Sequence, residues 1–226
     1  LVICNADPPT VYSEMLPLEY SRDSLLKPKK FTHYSMGLYV LFFGSKKKFS
    51  DVAHHTIWMS ERYKELLHDI FEKKILTEDF SLYLHRPTAT DDTFAPEGCD
   101  SFYVLCPVPN LQGNVQWNSE GPKLKDRIVE ALDKTIMPGL KENIEAEFWM
   151  TPEDFKNDYR SKYGAGFSVA PIFSQSAWFR YHNKDKKIPN LYFSAAGSHP
   201  GAGIPGVLCS AKVIEKLIIK DFKVSH

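Results

Sequence analysis

Four glycines and two prolines fall within the ten residues Gly197 to Gly206, between an apolar, strand-prone run (Leu191 to Ala196) and a segment where Val207, Ala211, Ile214 and Ile218 recur at helical spacing. A chain with that order must turn sharply from a buried strand into an amphipathic helix. Pro205 suits the first helical turn, where its missing N–H is no loss. Glycines let a backbone approach a ligand closely, and the unpaired amides and dipole of a helix start favour negative charge. On spacing alone, a cofactor cradle and a plain tight turn are equally compatible.

The letters Gly201-Ala202-Gly203-Ile204-Pro205-Gly206 satisfy G-x-G-x-x-G. A primary dinucleotide fingerprint also needs a strand running straight into the first glycine and a second parallel strand beyond the helix, carrying an acidic residue for the ribose. Here Gly197-Ser198-His199-Pro200 intervene and no such strand follows before His226, so the context argues against a primary fingerprint.

Lysine plus arginine equal aspartate plus glutamate at 28 each, so no overall field favours nucleic acid. With 226 residues, 43% hydrophobic and 25% charged, the chain has the make-up of a folded protein with a sizeable core. Cys4, Cys99, Cys106 and Cys209 form no C-x-x-C pair and nothing resembles a signal peptide, so reduced thiols and a cytoplasmic setting are expected. Apolar runs such as Leu38 to Phe43 are far shorter than the roughly 18 residues that would cross a bilayer. The aromatic run Phe31 to Phe43 lies between Lys27-Pro28-Lys29-Lys30 and Lys46-Lys47-Lys48, which reads either as a membrane-surface patch or as two solvated loops beside a core strand.

Glu61 to Lys73 places Tyr63, Leu66, Leu67, Ile70 and Phe71 on one helical face, with Ser60 as a cap. Phe80 to Arg86 and Ser101 to Cys106 read as strands, and Gly121 to Met137 as a helix opening on Pro122. Thr151-Pro152-Glu153-Asp154 starts a further capped helix. Helices and strands thus mix without strict alternation. His54-His55, His68 and His85 lack the H-E-x-x-H spacing, so no metal site is expected, and no G-x-S-x-G elbow offers a nucleophile. Asp91-Asp92 and Glu153-Asp154 sit in turn and helix-start contexts that suit solvated carboxylates.

Six stretches, in one order over nearly the whole chain, resemble the bacterial phytoene desaturases, which are flavin-dependent carotenoid desaturases. They are Ala53-His54-His55-Thr56, Glu78 to His85, Ala95-Pro96-Glu97-Gly98-Cys99, Tyr103 to Pro109, Gln175 to Arg180 and Asn190 to Lys212; the block His199 to Gly206 is the most specific. The resemblance implies an α/β fold: a mixed α+β substrate lobe plus part of a Rossmann-like FAD-binding domain. The family's N-terminal dinucleotide-binding βαβ unit has no equivalent in residues 1–226, so the chain resembles a C-terminal portion, whose partner would be the missing N-terminal half. The implied division is a returning strand of the FAD-binding domain at 1–10, a substrate-binding domain at 11–184, and a strand, glycine-rich turn and helix of the FAD-binding domain at 185–226.

By the same resemblance, FAD contacts fall on Gly197, Ser198, His199, Pro200, Gly201, Ala202, Gly203, Ile204, Pro205, Gly206 and Val207. His199 is either a flavin contact or a structural hydrogen-bonder, and Arg180 lies either near the flavin and cavity mouth or in a surface ion pair. Implied partners are the long apolar polyene phytoene, a membrane surface approached peripherally, and quinone or oxygen as electron acceptor. The implied reaction moves a hydride to the flavin and a proton to a base or water, with no catalytic acid or base identifiable. An isolated non-catalytic polyene- or partner-binding lobe, a carotenoid isomerase and a later-pathway desaturase are the alternatives. Three positions depart from the family pattern: Ala195 and Cys209 replace glycines and Tyr181 a proline. The first adds a methyl where positive φ would be costly.

Overall fold

Within Asp100–Val108, the side chains of Phe102, Val104, Cys106 and Val108 are buried while Tyr103, Leu105 and Pro107 between them stay half-buried. Such alternation is what a strand with one fully covered face requires. The computed structural model describes residues 1–21 and 32–223, and both Lys27-Pro28-Lys29-Lys30 and Phe31 lie outside the described residues. The strands are β1 (Val2–Cys4), β2 (Gly37–Ser45), β3 (His55–Trp58), β4 (Leu82–His85), β5 (Asp100–Val108), β6 (Ile144–Met150) and β7 (Leu191–Phe193). The helices considered are α1 (Tyr63–His68), α2 (Trp117–Lys134), α3 (Pro152–Tyr159) and α4 (Ile204–Phe222). The fold is mixed α/β.

Contacts divide the chain into one compact unit of Gly37–Asp154 and another of Leu1–Met36 with Phe155–His226. These boundaries record packing, whereas the expected divisions at 10/11 and 184/185 record what each part is expected to hold.

In the Gly37–Asp154 unit, five antiparallel strands lie in the order β3-β4-β5-β2-β6. Trp117, Leu124, Ile128 and Leu132 of α2 close one face by packing with Tyr39, Leu41, Leu84, Phe102 and Val104 in a single cluster. The helix begins at Trp117 rather than at Gly121, which puts Pro122 inside it. Trp117 is 2% exposed and stacks on Tyr39 at 6.3 Å between ring centres, and the Tyr39 hydroxyl donates to the Gly121 carbonyl at 3.0 Å. Burying that indole outweighs the hydrogen bond that Pro122 cannot make.

No helix of the unit covers the other face in the same way, and its residues line up in rows across the strands. Register places Phe148 beside Phe42, Phe42 beside Tyr103, Tyr103 beside His85 and His85 beside His55. A second row runs Met150, Val40, Leu105, Tyr83 and Ile57. Phe42 and Phe148 stack at 4.5 Å, and Tyr83 meets Tyr103 edge-on at 5.8 Å. The run Leu38 to Phe43 is therefore the inner strand β2, paired on both sides and mostly buried, rather than a surface patch. Lys46 pairs with Glu145 at 3.8 Å, Lys48 with Asp92 at 2.9 Å, and Lys47 lies over the Phe49 ring.

Local expectations hold with shifted ends. Glu61 to Lys73 forms α1 followed by a wider π-helical turn at Asp69–Lys73. Ser60 does not cap α1 directly, because its hydroxyl accepts from the Arg62 amide and donates to Asp79. At α3, Thr151 Oγ1 accepts from the Glu153 amide at 3.2 Å while Asp154 accepts from the Thr151 amide at 2.6 Å, a reciprocal cap.

Beneath the β4–β5 edge, Arg86 and Asp100 form an ion pair at 3.0 Å with side chains 8% and 0% exposed. Asp100 also accepts from Thr88 Oγ1 at 2.7 Å and the Phe49 amide at 2.6 Å, and Arg86 Nη1 donates to the Val52 carbonyl at 3.0 Å. Removing one partner leaves a charge and several polar groups unmatched in the interior. Asp100→Ala is expected to lower unfolding free energy by ~3–5 kcal/mol in chemical denaturation; a loss under ~1 kcal/mol would show that water reaches the site.

In the Leu1–Met36 and Phe155–His226 unit, β1 and β7 pair in parallel with Val2 opposite Leu191. Val11, Tyr12, Leu191 and Phe193 form its core, where the Tyr12 hydroxyl donates to Asp185 at 2.6 Å. The hydroxyls of Ser194 and Ser210 meet at 2.9 Å and tie the end of β7 to α4.

Candidate functional site

The chain leaves β7 through a turn in which Ser198 Oγ accepts from the Ala195 amide and donates back to the Ala195 carbonyl, at 3.0 and 2.9 Å. The His199 amide then donates to the Tyr181 carbonyl at 2.7 Å, and Asn183 Nδ2 donates to both the His199 and Phe193 carbonyls at 2.8 and 3.1 Å. These bonds hold the glycine-rich stretch against residues 181–183. Gly203, at φ 90°, ends the turn as the N-cap of α4 and brings no capping side chain. An added Cβ at Gly206 would lie 2.7 Å from the Gly201 carbonyl oxygen, so the first turn of α4 rests directly on the loop before it.

The expected cofactor stretch has two parts. Gly197 and Ser198 are buried, and a Cβ on Gly197 would lie 2.6 Å from Pro8 and 2.8 Å from Asp7, so internal packing sets that glycine. His199, Pro200, Gly201, Gly206 and Val207 are half-buried, whereas Ala202, Gly203, Ile204 and Pro205 face outward. The outward part carries the uncapped helix start.

Arg180 is not in a surface ion pair. It is 4% exposed, and its guanidinium donates to the carbonyls of Ala196 at 2.8 Å, Phe167 at 2.8 Å, Val169 at 3.1 Å and Gln175 at 3.4 Å. One side chain thereby joins the strand exit to two loops. Arg180 also lines a cavity of about 400 Å³ with Phe167, Val169, Pro171 and the turn Pro200 to Gly203. Phe167 and Val169 carry no local signature in the sequence; they reach the cavity only because the chain returns there.

Beside this turn the buried His199 Nδ1 makes no hydrogen bond, and Asp7 Oδ1 and Ser168 Oγ, both close to Gly197, find no partner of good hydrogen-bond geometry. Burial pushes the Asp7 carboxyl above its ordinary value, offset only in part by the nearby Ser168 hydroxyl, the Lys162 amide and the Arg180 charge. An orphaned imidazole nitrogen, an uncapped helix start and a cavity walled by Phe167 and Val169 fit a flat heterocycle with acceptor atoms on one edge. Elsewhere, burial pushes the Cys106 thiol up to about 12, which leaves it unreactive.

Histidines scattered in sequence are not scattered in space. Pairing of β3 with β4 puts His55 opposite His85, and among the described residues His54, His55 and His85 are a group whose ring nitrogens lie within 4.8 Å of one another. The expectation of no metal site came from helical spacing, and these residues meet across strands instead.

No family model matches the chain. Over 224 residues, 97% of its length, the chain is 46% identical to a lycopene-forming phytoene desaturase from Pantoea ananas. It is 44% identical over 226 residues to a neurosporene-forming phytoene desaturase from Rhodobacter capsulatus. Over nearly its whole length the chain is similar to bacterial phytoene desaturases. It spans 45% and 43% of the lengths of those two desaturases. An oxidoreductase from Methanosarcina mazei shares the fold, with a TM-score of 0.53, 15% identity and coverage of 95% of this chain and 42% of that one.

The departures from the desaturase pattern find room. Ala195 takes no left-handed backbone, so its methyl strains nothing. Tyr181 stacks on Tyr12 at 6.2 Å, and Cys209 lies exposed on α4.

Arg180→Ala should lower unfolding free energy by at least ~3 kcal/mol, since hydrogen bonds to a charged group are worth ~1.5–3 kcal/mol each. Arg180→Lys, which keeps charge without the planar fork, should recover only part of it in the same denaturation experiment. For Asp7 the raised value means that the fold favours the protonated acid. Its stabilising contribution is complete below the ordinary 3.8 and is lost as pH rises through the folded value. Asp7→Asn should therefore unfold at a higher temperature than the native chain at neutral pH, with the gap closing as pH falls towards 3.8; a gap independent of pH would contradict the assignment.

Proposed function

We propose that this chain forms part of an FAD-dependent phytoene desaturase, which converts phytoene to more conjugated carotenoids such as neurosporene or lycopene. The observation that carries this reading is the 46% identity to a lycopene-forming phytoene desaturase over 97% of the chain. The geometry adds two features that suit it.

The first is the aromatic sheet face. A polyene offers nothing to hydrogen-bond and must be held by contact area, which Phe148, Phe42, Tyr103, Leu105 and Tyr83 of the two rows would provide. The second is the turn from His199 to Val207. FAD, when bound, supplies the hydride acceptor. The uncapped amides at the start of α4 would face its electron-rich pyrimidine edge, His199 Nδ1 would find a polar partner there, and Phe167 and Val169 would keep water from the cavity. Arg180 would act as a positioning residue, fixing the Ala196 carbonyl and hence the turn.

Among the described residues no helix is long and apolar enough to cross a membrane. We propose peripheral contact with the bilayer that stores phytoene, supported by the exposed Met15, Leu18 and Tyr20, which precede Lys27-Pro28-Lys29-Lys30 in the chain. Quinone or oxygen is the proposed terminal electron acceptor.

Expression of the complete enzyme carrying these residues in phytoene-containing membranes, with pigment separation, tests the reading. Coloured products of extended conjugation are expected; unchanged phytoene beside bound flavin would overturn it. Phe148 is 58% exposed, so Phe148→Ser should leave thermal unfolding nearly unchanged. It should raise KM for phytoene by ~10–100-fold, the equivalent of losing ~1.5–3 kcal/mol of apolar contact. An unchanged KM would remove the aromatic face from the substrate path.

A further inference from the structure

We propose that His54, His55 and His85 form a binding site for one divalent transition-metal cation of the zinc class. The three imidazoles come from two places. His55 and His85 are directly opposed across the β3–β4 pair, and His54 precedes β3, where its carbonyl accepts from the Arg86 amide at 2.9 Å. One donor nitrogen from each ring lies within 4.8 Å of the other two. Tetrahedral bonds of ~2.0–2.1 Å separate nitrogens by ~3.3 Å, so small ring rotations complete the set.

The surrounding hydroxyls orient the rings for that role. His54 Nδ1 contacts the Thr90 hydroxyl, and His55 Nδ1 lies 2.7 Å from the Tyr83 hydroxyl. Each hydroxyl can accept from an Nδ1–H, which leaves the Nε2 lone pair free for a cation; outer partners of metal-bound histidines characteristically do this. His54 Nε2 and His85 Nε2 approach to 2.8 Å, a distance at which two nitrogens must share either a proton or a cation. His55 is exposed, which leaves a fourth coordination position on the solvent side. Three imidazoles and no thiolate or carboxylate favour zinc, copper or nickel over magnesium or calcium. A cation held here would link the paired edge strands β3 and β4 to the turn that carries Thr90. The site stands apart from the flavin reading, and its test needs no turnover.

Titration of the intact chain with zinc chloride by calorimetry, and with cobalt chloride by visible absorption, reads the site directly. One equivalent should bind, with cobalt giving the intense bands of a tetrahedral site and zinc raising the unfolding temperature. His54→Gln and His85→Gln should each weaken zinc binding by at least ~100-fold, and Thr90→Ala by ~10–100-fold. His68→Gln, on α1, should change nothing. Circular dichroism and metal-free unfolding of each variant separate lost ligands from lost folding, and Thr90→Ala serves as the milder variant if a histidine exchange perturbs the edge strands. Absence of saturable binding at micromolar zinc would overturn the proposal and leave a proton between His54 and His85, as would unchanged affinity in a well-folded His54→Gln, His85→Gln double variant.

Discussion

The five N–H groups of a guanidinium lie in one plane and must all be matched once water is excluded. Arg180 meets most of this demand, with four hydrogen bonds to the carbonyls of Phe167, Val169, Gln175 and Ala196, which come from three separate places in the sequence. The position of the glycine-rich turn, the wall formed by Phe167 and Val169 and the setting of Asp7 all follow from that fixed point. Burial of a charge is costly on its own, so the arrangement holds only while every carbonyl stays in place, and this makes the loop rigid where loops usually move.

The five-stranded sheet solves a different problem with the same economy of means. Its period-two alternation sends Phe102, Val104 and Cys106 towards α2 and leaves Tyr103 and Leu105 on the opposite face. Ordinarily the second face of such a sheet is polar. Here it carries ring against ring from Phe148 to Tyr103, and His85 and His55 extend the row to the sheet edge. One strand pairing therefore generates both an apolar surface suited to a hydrocarbon and a cluster of imidazoles at its border.

Much of the local structure was legible in the residues. The helix after Gly203, the cap at Thr151 and the strands around Leu84 and Val104 follow from spacing and capping rules that act within a few residues. Errors occurred where burial overrode a local signal. Pro122 marked a helix start, yet Trp117 added a turn before it because an indole packed on Tyr39 outweighs one missing amide hydrogen bond. The lysine flanks of Phe31 to Phe43 left a surface patch open, but its described part from Gly37 onward is an inner strand paired on both sides and mostly buried.

By itself, the sequence determined that a strand, a glycine-rich turn and a helix follow one another at Asn190 to Lys220, that no helical metal motif exists and that the chain resembles carotenoid desaturases, because each of these is written in neighbouring residues or in ordered blocks of them. Tertiary structure alone decided that Arg180 is a buried clasp and not a surface cation, that Asp7 lies against Gly197, and that His54 and His55 meet His85. Those meetings join residues tens to nearly two hundred positions apart, and backbone pairing and burial, which no local spacing encodes, bring them together.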